Sequence, residues 1–235
     1  MQRSIKLCNT EDFAGVTSVC SICQRSGGFG IITGRSGYGK TYSLQCYAET
    51  EKVLYIECSE CMNTMDLISE IQELLNIPAK PAGSQHYGAR RIIDYLRAHE
   101  GYLLIIDEAD KLATKFTQKK LEVLRYIQDR SGAGLVLAGE PVLKGLIQRY
   151  ITRTENRIDC IYELNGLKDY EVIDYLSGYS FTEEAEKEMI KRATGAKTGC
   201  FRLLARTMNN IIKVAPEAKV IDIETVREAS DMMML

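Results

Sequence analysis

The stretch FGIITGRSGYGKTYSLQCYA, residues 29–48, runs an apolar β-branched segment into three glycines, a lysine and a threonine, then into a helical pattern. Within it Gly34-Arg-Ser-Gly-Tyr-Gly39-Lys40-Thr41 matches G-x-x-x-x-G-K-[ST], with the strand before and the helix after that a phosphate-binding loop requires. Glycines at Gly34, Gly37 and Gly39 let backbone N–H groups wrap a polyphosphate. Lys40 is placed to reach its β and γ phosphates, Thr41 to ligate Mg²⁺, and the helix N-terminus adds a favourable dipole. The expected ligand is a nucleoside triphosphate.

Outward from this loop, apolar β-rich runs alternate with helical patterns. GIIT (30–33), VLYIE (53–57), YLLIID (102–107), GLVLAG (134–139) and IDCIYEL (158–164) read as strands. Between them MDLISEIQELL, KKLEVLRYIQDR and VLKGLIQRY read as helices. Continuous apolar strands separated by helices predict a parallel sheet covered on both faces. After Asn165-Gly166 the strand signal stops and four helical patterns follow, so the expected division is an α/β core over 1–165 and a small four-helix domain over 166–235. The segment 76–91, NIPAKPAGSQHYGARR, reads as a long surface loop.

Composition narrows the class. A 45% apolar and 26% charged chain of 235 residues is an ordinary globular protein, and a net charge of -2 means that a nucleic-acid partner would need a local basic face. No apolar run reaches membrane-spanning length, and MQRSIKLCNTEDF lacks the apolar core of a signal peptide. The expected location is the cytoplasm, with no membrane partner. Eight cysteines then read as reduced thiols. The pairs Cys20/Cys23 and Cys58/Cys61 have C-x-x-C spacing, but Cys20-SI-Cys23 sits in a helical pattern and lacks the glycine-rich turn of a zinc knuckle, so ordinary buried thiols are expected.

A chance glycine-rich turn predicts no second motif, yet YLLIIDEAD supplies one at the end of a buried strand. Asp107 is placed for the Mg²⁺ shell, and Glu108 to polarise a water. A carboxylate beside the metal ligand orients a water for in-line attack, which favours hydrolysis over transfer to another acceptor.

A P-loop, a DEAD-type second motif, five strands and a helical lid together resemble the AAA+ ATPases, over nearly the whole chain. The short lid and the phrases ITGRSGYGKT and LVLAGEP look like the branch containing the phage Mu transposition protein B, the Tn7-type regulator TnsC and ExeA-like secretion ATPases. The resemblance implies an arginine before the last strand that reaches a neighbouring subunit's ATP; ITRTENRIDCIYEL offers Arg157 first and Arg153 second. It also implies, from TGCFRLLARTM, that Arg202 senses the γ phosphate in cis. At the end of the fourth strand the family's neutral polar residue is replaced by Glu140, whose charge a triphosphate would repel, so a slow ATPase is expected. The segment from Val16 to Phe29 is expected to contribute to the adenine pocket.

Hydrolysis that needs a neighbour's arginine implies self-assembly with ATP into a ring or helical filament. Relatives in this branch assemble on double-stranded DNA and activate a transposase. The matching basic candidates are Lys111, Lys115, Lys119 and Lys120 in DKLATKFTQKK, and Arg90 and Arg91 in YGARR, contacting phosphates without reading sequence. The residues before Gly34 are too few for a separate DNA-binding domain, so targeting is expected to rest on the AAA+ unit and its partners. The alternative is an ATPase acting on a protein partner in secretion or signalling, without DNA.

Overall fold

A computed structural model describes residues 10–78, 84–112, 119–151, 158–195 and 200–232. Helix α1 (Glu11–Ser26) leads into β1 (Phe29–Thr33) and α2 (Lys40–Ala48), followed by β2 (Val53–Glu57), α3 (Thr64–Leu74) and α4 (Gln85–Ala98). Then come β3 (Leu103–Asp107), α5 (Lys119–Ser131), β4 (Gly134–Gly139), α6 (Val142–Ile151) and β5 (Cys160–Glu163). The five strands form one sheet in the order β2-β3-β4-β1-β5, every neighbouring pair parallel. All residues of the three inner strands are buried, whereas β2 buries only Leu54 and Ile56 and the four residues of β5 are half-buried or exposed, as in edge strands. This is the pattern that continuous apolar runs dictate once helices cover both faces.

On one face, Phe29, Ile31, Leu104, Ile106, Leu135 and Leu137 meet α3, α4 and α5 through Leu67, Ile71, Ile92, Leu96, Leu124 and Ile127. On the other, a β-carbon on Gly30 would stand 2.7 Å from the Cys23 sulphur and 2.8 Å from a Val19 methyl, so α1 lies directly on β1.

Helix α3 starts in a capping box. Asn63 Oδ1 accepts the amides of Met65 and Asp66, and Asp66 Oδ2 accepts the amide of Asn63. The stretch read as a long loop over 76–91 is shorter than expected, because Ser84 Oγ caps Tyr87 N and α4 begins at Gln85. Gly88 belongs inside that helix because α4 packs so closely on α3 that a β-carbon there would meet Ile68 Cγ2 at 2.6 Å.

The chain divides into two compact units. One holds Gly15–Arg35 and Lys40–Leu164; the other holds Asn165–Leu235 together with Met1–Ala14 and Ser36–Gly39. The second contains α7 (Asp169–Leu176), α8 (Glu183–Thr194), α9 (Phe201–Val214) and α10 (Ile223–Asp231). Leu204, Met208 and Ile211, spaced along one face of α9, close a core with Val172, Leu176, Met189 and Val226. Thr182, Cys200 and Asp222 cap α8, α9 and α10.

Residues far apart in sequence seal the start of this unit. Asp12 accepts the amides of Asn165 and Gly166, and buried Glu171 accepts those of Glu11 and Lys168. Lys168 and Tyr170 both donate to the Glu11 carboxylate, which holds it below the ordinary carboxylate range.

Candidate functional site

The carboxyl ends of β1 and β3, with β4 between them, carry the loop and the acidic motif. Such ends are where open parallel sheets receive ligands. After β1, Gly37 and Gly39 take φ of +84° and +96°, a region where other residues are strained. Lys40 opens α2 and is only 5% exposed. Its ammonium donates to Gly34 O at 3.3 Å and makes no ion pair among the described residues. A buried ammonium without an anion is costly, so its environment suits an anionic ligand such as a phosphate. One residue before Gly34, the buried Thr33 hydroxyl has no hydrogen-bond partner among the described residues, a second unmet polar demand in this stretch.

Asp107 ends β3 fully buried. Its Oδ1 accepts Glu108 N at 2.8 Å and its Oδ2 accepts the Tyr55 hydroxyl at 3.0 Å. Burial first, and the Asp107 charge second, push the Tyr55 phenol above its ordinary range, so it remains a donor. Glu108 adopts φ +54°, a left-handed conformation that costs about 1–2 kcal/mol in a non-glycine residue and marks a constrained backbone. Its carboxylate pairs with Lys111 at 3.4 Å. Thr41 and Asp107 are hard oxygen donors of the kind Mg²⁺ takes, so the donor set fits that ion.

Past the motif, a short 3-10 turn, Ala109–Leu112, brings Asp110 to the end of β4, where its Oδ1 accepts Glu140 N at 2.9 Å. Tyr55 and Asp110 are the polar groups that reading the sequence missed. Tyr55 sits in an unremarkable apolar run. Asp110 stood within the quoted DEAD phrase, but nothing in the sequence joins it to Glu140.

Within the helical unit, Arg202 N donates to Gly37 O at 3.2 Å and Arg202 Nη1 to Ser36 Oγ at 3.1 Å. A β-carbon on Gly37 would meet Cys200 Sγ at 2.8 Å. Arg153 and Arg157 lie outside the described residues, as does Lys115.

Several basic candidates have partners of their own. Arg91 donates to Pro78 O, Lys120 to Met62 O, and Lys111 pairs with Glu108, whereas Arg90 and Lys119 are exposed. Val16 and Val19 are buried in the core. Cys20, Cys23 and Cys58 are buried thiols as read from the sequence, but Cys61 is exposed because it lies in the turn before α3. No group of three or more His, Cys, Asp or Glu among the described residues could hold a metal, and no described helix is long and apolar enough to cross a membrane.

The sheet order, the glycine-rich loop after β1 and the carboxylates after β3 define a P-loop nucleotide-binding fold. A family model described as an AAA domain matches residues 23–147, just over half of the chain, and the protein belongs to that family. Membership implies nucleotide binding and ATP hydrolysis. The DNA transposition protein B of the Mu-like prophage FluMu of Haemophilus influenzae is 28% identical over 169 residues. That match covers 71% of this chain and 54% of the relative, so the chain spans about half of that protein's length. It agrees with the resemblance to the Mu protein B branch. Among solved structures, Cdc6p from Pyrobaculum aerophilum is 20% identical with a TM-score of 0.74, over 99% of this chain and 69% of that one. Aeropyrum pernix ORC1, determined in complex with DNA, is 16% identical with a TM-score of 0.68, over 98% and 66%. These two likenesses establish the AAA+ fold.

Proposed function

We propose that this protein binds ATP with Mg²⁺, hydrolyses it slowly, assembles with ATP on double-stranded DNA, and regulates a transposase by selecting its target and activating it. The observation that carries the nucleotide reading is the buried Lys40 ammonium, which has no anionic partner among the described residues, at the start of the helix that carries Thr41. In this reading Gly34, Gly37 and Gly39 let backbone amides bind the phosphates, and Lys40 meets their charge. Thr41 and Asp107 hold Mg²⁺, which would neutralise charge developing on the phosphate oxygens.

Glu108 orients the attacking water and takes up its proton. Its φ and its contact with Lys111 fix where its carboxylate starts. Glu140 adds negative charge close to the reacting phosphate and slows turnover. Arg202 senses the nucleotide in cis, and Arg157 or Arg153 completes the site of a neighbouring copy. The core over 1–165 and the helical domain over 166–235 are the working parts of this device.

The DNA role draws on the name of the Haemophilus relative and on basic side chains on one unit. Arg90 and Lys119 are the exposed ones. Lys111, Lys120 and Arg91 would exchange their present partners for phosphates, and Lys115 completes the set.

Two variants and one mass measurement test the proposal. Lys40→Ala should lose ATP binding, and Glu108→Gln should keep binding but lose turnover by about 10²-fold or more. Sedimentation velocity with ADP and with a slowly hydrolysed ATP analogue, each with and without random duplex, should give large assemblies only with analogue and duplex together. Assembly with analogue alone, indifferent to DNA, would move the role to a protein partner. Glu108→Gln with normal turnover would remove the assigned chemistry.

A further inference from the structure

Both oxygens of Asp107 are engaged, one by the following amide and one by the Tyr55 hydroxyl. Tyr55 lies on β2 opposite Ile105, and Asp107 lies opposite Glu57, so Tyr55 and Asp107 point to the same face of adjacent strands, one pleat apart. The phenol is long enough to cross that pleat and ends 3.0 Å from Oδ2.

We propose that Tyr55 is a positioning residue that fixes the Asp107 carboxylate for a divalent cation. The proposal rests on the reading of Asp107 as a metal ligand. A carboxylate anchored at one oxygen can turn about its terminal bond; anchored at both, it offers its remaining lone pairs in one direction. Donors behind a metal-binding carboxylate matter for this reason, and removing one typically lowers metal affinity about 10- to 100-fold. A role limited to packing makes a different prediction, because Tyr55→Phe keeps the ring.

The test is Mn²⁺ binding in the presence of ADP, followed by electron paramagnetic resonance, on the whole chain. Tyr55→Phe should raise the half-saturating Mn²⁺ concentration by about 10-fold or more while leaving metal-free binding of a fluorescent ADP unchanged. Its urea unfolding should remain a single cooperative transition, which shows that the variant folds. Tyr55→Leu, which also removes the hydroxyl, should move Mn²⁺ binding in the same direction, and it serves as the readout if Tyr55→Phe does not fold.

The proposal is overturned if Tyr55→Phe binds Mn²⁺ within about twofold of the parent, or if metal-free ADP binding falls as much as metal binding. If the parent protein with ADP binds Mn²⁺ no better than Asp107→Ala does, the reading of Asp107 fails first and this proposal with it.

Discussion

Asp110 Oδ1 accepts the amide of Glu140 at 2.9 Å and occupies the space over Gly139, where a β-carbon would stand 2.2 Å from it. One carboxylate thus ties the end of β3 to the end of β4, and only glycine leaves it room. Gly139→Ala should expel Asp110 and unpair the Glu140 amide, costing about 1–3 kcal/mol in urea unfolding. Asp110→Asn, which keeps an acceptor oxygen, should cost less than Asp110→Ala. Equal losses for those two would show that the hydrogen bond is not what holds the turn.

Gly88 sets two effects of opposite sign against each other. Helix propensity alone predicts that Gly88→Ala gains about 1 kcal/mol. The new methyl, however, would lie 2.6 Å from Ile68 Cγ2, and Ile68 is itself buried at the α3–α4 contact. Overpacking of this kind costs about 1–3 kcal/mol, so the variant should be less stable than the parent in urea unfolding.

Leu204 lies at the centre of the α9 face and is 2% exposed. Leu204→Ala should cost about 2–5 kcal/mol through lost burial and a cavity. Hydrogen exchange should show the loss over α7 to α10, with the inner sheet strands unchanged.

Burial pushes the thiols of Cys20, Cys23 and Cys58 from the ordinary 9.0 up to about 12. A proton held more tightly in the folded state than in the unfolded one stabilises fully below the unfolded value. That stability is lost as pH rises towards the folded value. The urea midpoint should therefore hold up to about pH 9 and fall above it, towards about 12. Under native conditions iodoacetamide should label exposed Cys61 while sparing these three.

The sheet was legible in the sequence because its signals are local. Val53–Glu57 and Gly134–Gly139 fall where the apolar runs put them, and Lys40, Asp107 and Glu108 belong to motifs read along one strand or one turn. The links between elements were not legible. Tyr55 to Asp107 spans 52 positions and Asp110 to Glu140 spans 30, and a hydrogen bond at such a distance leaves no periodicity behind. The misjudged loop at 76–91 has a related cause. Gly88 signals a turn when read alone, and only the neighbouring helix supplies its reason for standing inside α4.

The seal made by Asp12 and Glu171 sets an order of events during synthesis. Asp12 meets Asn165 and Gly166 across 153 and 154 positions, and Glu171 meets Glu11 N across 160. A ribosome adding about 5–20 residues per second needs roughly 8–30 s to cover that distance. For that interval the first turn of α1 has none of these partners, while the strands that follow it are already emerging. The parallel sheet is free to form first, and the nascent helical unit closes last, on a turn that left the tunnel well before it.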